Sequence, residues 1–160
     1  MLKSIMYALV FSFISNASWA GPYDPMVTKA WVGETVPGQT TSTLQLNLTT
    51  VKAVKLIAVS SPIAGSVEIH SLMMNKGAMK LQVVKSYTLP EHRTTLFGSQ
   101  GLFLMMTGIK QPLKVGDQVP LNLTVTFADK QTKVISANAE VRKMELSYKH
   151  YGPNEVYDHR

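Results

Sequence analysis

The sequence predicts an all-β antiparallel sandwich, on three observations. Helix signals are scarce after residue 20. Several short segments alternate apolar and polar residues at a period of two, the pattern of a half-buried strand. Gly and Pro turns separate these segments at close intervals, as in two packed antiparallel sheets.

The first 20 residues stand outside that pattern. Lys3 supplies a positive start, Ser4 to Ile14 is mostly apolar, and Ser18-Trp19-Ala20 places small residues where a signal peptidase reads them. The expectation is a cleaved export signal over 1–20, with cleavage before Gly21. Its apolar run is shorter than the roughly 20 residues a membrane span requires. No later apolar stretch is long enough to span, so no stable membrane insertion is expected after cleavage.

The strands follow in order. Thr43 to Leu48 alternates strictly. Val54 to Val59 is an apolar run that Ser60-Ser61-Pro62 ends. Ser66 to Leu72 alternates again, with Val67, Ile69 and Ser71 on one face and Glu68, His70 and Leu72 on the other. Asn75-Lys76-Gly77 is a turn signal, and Met79 to Val84 returns as a strand, so the pair reads as a hairpin with a longish loop that includes Met73 and Met74. Tyr87 to Leu89 and Thr94 to Phe97 are short strands around Pro90, with His92 in the turn between them as a surface residue. Leu102 to Met106 reads as buried. Pro112 to Asp117 is a connection, Val119 to Phe127 alternates, Ala128 to Gln131 turns, and Lys133 to Val141 is the last strand. The domain is expected over 21–147, with 148–160 a flexible polar tail broken by Gly152-Pro153.

Composition narrows function. The 160 residues contain nine methionines and no cysteine. That rules out disulfides, thiolate-ligated copper or zinc, and a thiol nucleophile. The formal net charge is +6, one unit of it from Lys3. The basic residues are dispersed in singles and pairs such as Arg142-Lys143, so no nucleic-acid interface is expected. No Gly-rich phosphate loop, nucleophile elbow or His-Glu-x-x-His is present, and no enzyme is expected. His150 and His159 lie in the tail, where imidazole and carboxylate suit Cu(II) or Zn(II) but preorganisation is lacking.

What remains is one histidine among thioethers. His70 is followed by Met73, Met74 and Met79, and then by Met105 and Met106. Imidazole and thioether are ligands that soft Cu(I) accepts. Met106 faces away from Met105 on a strand and belongs to the core.

Ala30-Trp31-Val32, Ser61-Pro62-Ile63-Ala64, Val67-Glu68-Ile69-His70 and Gly101 to Ile109 together resemble the PCuAC-type periplasmic copper(I) chaperones, and Pro112 to Phe127 continues the likeness. The resemblance covers roughly residues 28 to 143. It implies a cupredoxin-like Greek-key β-sandwich in the periplasm. It also implies Cu(I) as cargo and exchange with copper-donating or copper-receiving proteins such as cytochrome oxidase assembly factors. The family's ligand spacing falls on His70, Leu81, Phe103 and Met105. Leu81 and Phe103 cannot donate to a metal. Met79, two residues before Leu81 on the same strand face, and Met73 or Met74 beside His70 are the candidate substitutes. The expected metal residues are therefore His70, Met105, Met79, Met73 and Met74. The alternative is a member that has lost metal and acts as a structural or protein-interaction module. Its expected mark is Leu81 and Phe103 packed together over the old site, with His70 exposed.

Overall fold

The computed structural model describes residues 23–99 and 101–144. The expected export signal and the expected tail, including His150 and His159, lie outside the described residues. Among these residues there is no helix, and none therefore long and apolar enough to cross a membrane.

Ten strands form the fold: β1 (Met26–Gly33), β2 (Thr41–Thr50), β3 (Val54–Ser60), β4 (Ser66–Asn75), β5 (Ala78–Val84), β6 (Tyr87–Leu89), β7 (Arg93–Phe97), β8 (Leu102–Thr107), β9 (Gln118–Thr126) and β10 (Thr132–Arg142). The pairing order is β5-β4-β8-β2-β1-β10-β9-β3-β6, with β7 also on β2. All pairs are antiparallel except β1–β10, where Trp31 to Gly33 run alongside Glu140 to Arg142 in parallel. The order folds back on itself: Val59 of β3 pairs with Val67 of β4. One face of most strands thus looks into a shared core.

The alternating segments build that core. In β2, Leu44, Leu46 and Leu48 are fully or almost fully buried. In β9, Leu121, Leu123 and Val125 are likewise buried, as are Leu104 and Met106 in β8. Every buried side-chain polar atom among the described residues has a partner. Ser42 Oγ donates to the Gly33 carbonyl at 2.9 Å, and Ser61 Oγ to the Pro120 carbonyl at 2.7 Å. Buried hydroxyls satisfied in this way tie β2 to β1, and the β3–β4 connection to β9, without an orphaned donor.

Besides the parallel β1–β10 pair in a sandwich expected to be antiparallel, the structure differs from the sequence expectation at β1 and at the β4–β5 hairpin. Strand β1 carries no period-two signal, because its alternation is broken. Pairing with β2 jumps from Thr28 to Trp31, and Lys29 takes φ 50°. This is a bulge, which puts an extra residue in one strand and resets its faces. The hairpin between β4 and β5 is also tighter than expected. Asn75 pairs with Ala78, and Lys76 and Gly77 both have positive φ, 49° and 81°. That is the signature of a two-residue type I′ turn, whose twist matches the strands it joins. Met73 and Met74 are therefore strand residues, not loop residues.

Candidate metal centre

Strand β4 lies between β5 and β8, and its register fixes what surrounds His70. Val83 of β5 is opposite His70 on one side and Phe103 of β8 on the other. One rung along, Glu68 faces Met105, which in turn faces Thr43 of β2. Residues two apart on a strand share a face, and directly paired residues do too. His70, Glu68, Phe103, Met105 and Thr43 therefore form one patch on the outward face of β4, β8 and β2. His70 and Met105 are diagonal neighbours in it.

The patch is partly solvated. The His70 side chain is 17% exposed and that of Glu68 43%. His70 Nε2 and Glu68 Oε2 are 3.0 Å apart, a hydrogen bond whose proton depends on the tautomer. Thr43 Oγ1 donates to Met105 Sδ at 3.6 Å. Thioether sulfur is a weak acceptor, so this contact orients Met105 without consuming it. Met106 points the other way and is fully buried, as its position after Met105 requires.

The positions that the resemblance equates with ligands share this face across three rungs. His70 and Phe103 occupy the middle rung and Met105 the rung beyond. Leu81 of β5 lies one rung toward the hairpin turn, paired with Leu72. Leu81 is half exposed and separated from Phe103 by β4, so the two do not pack together as a lid, and His70 is half-buried rather than exposed.

The expected substitute thioethers are not brought to His70. Met73 pairs with Lys80 and, lying an odd number of residues from His70, points to the opposite face. Met74 and Met79 pair with each other on His70's face, but two rungs away, about 13 Å along the strand at its usual rise. The physical reason is the tight turn: a longer loop would have let these side chains fold back, whereas an extended hairpin carries them outward.

Glu68 is the neighbour of His70 that the sequence expectation leaves out. Its signal is the spacing of two that puts Glu68 and His70 on one strand face, although a carboxylate is not among the soft donors that suit Cu(I). Thr43 could not be found from sequence, because its place beside Met105 depends on the β2–β8 register. Among the described residues no three of His, Cys, Asp and Glu gather at one point. The side chains with donor atoms that share this patch are His70 and Glu68 of β4 and Met105 of β8.

A family model described as LpqE-like, and named for a lipoprotein, matches residues 26–141. The chain belongs to the LpqE-like family. This LpqE-like chain is also similar to Lxx21020 of Leifsonia xyli subsp. xyli (strain CTCB07), named as a lipoprotein, at 27% identity over 111 residues. The match covers 69% of this chain and spans 66% of that relative's length. Among solved structures, the Cu(I) form of DR1885 from Deinococcus radiodurans is 28% identical, with a TM-score of 0.53, over 80% of this chain and 83% of that one. The apo PCuAC domain from PmoF1 gives a TM-score of 0.57 at 19% identity, over 75% of this chain and 94% of that one. The LpqE-like chain thus has the cupredoxin-like β-sandwich of PCuAC domains, as the resemblance implied.

Proposed function

We propose that this protein is an exported copper(I) carrier that acts as a chaperone in the periplasm, holding its cargo at His70 and Met105. The observation that carries the reading is the diagonal placement of those two side chains on one partly solvated face. A protein with a solved Cu(I) form is 28% identical to this chain. Imidazole and thioether are both acceptable to Cu(I), and two donors on a solvated surface make a shallow, low-coordinate site. Such a site suits transfer. A partner with more donors can enter the open positions and take the ion by ligand exchange, with no covalent chemistry. The partner is a copper-donating or copper-receiving protein, and the role is binding and delivery rather than catalysis.

The test is a Cu(I) competition titration against a chromophoric chelator under reducing conditions, on the wild type, His70→Ala and Met105→Ala. One-to-one binding that both variants weaken is the expected result. No competition by the folded wild type would refute the reading.

One observation favours a second reading. Leu72, Met74, Met79, Leu81 and Val83 all share the outer face of the β4–β5 hairpin and all are exposed. Five apolar side chains on one projecting hairpin form a patch of the kind that protein partners cover. In this reading the chain has lost its metal with Leu81 and Phe103 and serves as an interaction module. Failure of the copper titration together with a partner that Leu81→Lys releases would favour it.

A further inference from the structure

We infer that Glu68 is a third metal donor, and that it extends the cargo of this site to Cu(II). The inference rests on the proposed metal site at His70 and Met105 and goes beyond it in naming a ligand and an oxidation state.

The geometry comes first. His70 Nε2 and Glu68 Oε2 are 3.0 Å apart. Two donors on one metal, with bonds of about 2.0–2.2 Å, are separated by roughly 2.9 Å when cis at a right angle and roughly 3.4 Å at a tetrahedral angle. The pair already stands at a ligand–ligand spacing. An ion bridging them at those bond lengths stands off the line between them, so the imidazole and the carboxylate each turn to aim at it while keeping their separation. Glu68 is also the direct cross-strand partner of Met105. Such partners have Cβ atoms about 4.5–5.5 Å apart; Met105 Sδ rests against Thr43 Oγ1 on the β2 side, and a rotamer change would carry it toward the carboxylate. The three donors come from two adjacent strands of a continuous sheet, which holds them more firmly than a loop would.

The chemistry sets the ion. Phe103 and Leu81 bring no imidazole and no thioether to the positions they occupy, while Glu68 supplies a hard anionic oxygen. Imidazole and carboxylate in a tetragonal arrangement, with a long weak thioether, is a donor set for Cu(II). A His–Met pair alone favours Cu(I). The carboxylate therefore changes the ratio of the two affinities.

A different role is physically available to Glu68. It could stay outside the shell and accept the Nε2–H of His70, which would present Nδ1 to the metal. In that role it would support both oxidation states alike, and this difference makes the inference testable.

The experiment uses the full chain carrying His150→Ala and His159→Ala, so that these two imidazoles contribute nothing. Cu(II) is titrated calorimetrically in a non-coordinating buffer and the complex examined by electron paramagnetic resonance. Cu(I) is measured by chelator competition. Both are repeated with Glu68→Gln and His70→Ala. Glu68→Gln is expected to weaken Cu(II) by about tenfold or more beyond any effect on Cu(I), and to alter the Cu(II) hyperfine pattern. Equal Cu(II) affinity and an unchanged spectrum in Glu68→Gln would overturn the inference, as would equal losses for both ions, while the His70–Met105 site survives. Binding of neither ion by the wild type, or binding that His70→Ala leaves untouched, would instead sink the metal site itself. Glu68 is on the solvated face, and circular dichroism of each variant checks that the fold persists.

Discussion

Met105 and Met106 are adjacent in β8 and point to opposite faces, so truncating each should have opposite consequences. Met106 is fully buried, with Ser42 of β2 and Val67 of β4 as its cross-strand neighbours. Met106→Ala removes Cγ, Sδ and Cε. At roughly 0.8 kcal/mol per buried methylene-sized group this costs about 2.4 kcal/mol. Ser42 is too small to move into the space left, so the cavity adds to the loss and brings it within the usual range of about 2–5 kcal/mol. With a urea m-value of about 2 kcal/mol/M, the unfolding midpoint of the metal-free protein should fall by about 1–2.5 M. Met105 is only half-buried and makes one weak sulfur contact. Met105→Ala should cost under about 1 kcal/mol, a shift below about 0.5 M. Cu(I) competition should show the reverse order, weakened by Met105→Ala and unchanged in Met106→Ala while it remains folded. Equal midpoint shifts for the two variants would refute the argument, because Met105 would then be a packing residue with no sulfur to spare.

Phe103→His places an imidazole directly across from His70, and Cu(I) affinity by chelator competition should rise by about tenfold or more. Gly98→Ala should lower stability by about 2 kcal/mol in urea unfolding, since Gly98 has φ 111° and an added Cβ would sit 2.5 Å from Gln45 Cγ. A second change, Gln45→Ala, should recover the steric part of that loss and leave the backbone part. Thr35→Val should cost about 1–3 kcal/mol by the same measurement, because Leu113 N–H donates to Thr35 Oγ1 at 2.8 Å in a buried connection and would lose its acceptor.

Much of this fold was legible because its central strands are amphipathic at period two. Leu44, Leu46 and Leu48, like Leu121, Leu123 and Val125, announce both a strand and its inner face. Strand β1 was hidden by one residue. The bulge at Lys29 breaks the alternation, and a bulge depends on the partner strand rather than on local pattern. The hairpin turn was placed correctly but its length was not, since Lys76 adopts the positive φ that Asn or Gly more often supply. At the candidate site, the shared face of His70 and Glu68 could be read from their spacing. The diagonal approach of Met105, and the removal of Met74 and Met79 to the far end of the hairpin, could not. Both follow from register, which couples segments far apart in the chain.

The parallel pairing of β1 with β10 also dictates when this domain can fold. Trp31 and Glu140 are partners across more than a hundred residues, and β1 links the β2 side of the sheet to the β9 side. The closing contact has to wait for the last strand. Topologies dominated by such distant pairings fold slowly, in milliseconds to seconds, because loop closure precedes the contacts that reward it. A chain emerging from the ribosome, or threaded through a narrow pore, stays unclosed until β10 has cleared the exit. It is therefore open to unfolded transport for nearly its whole length, and open to aggregation for the same interval.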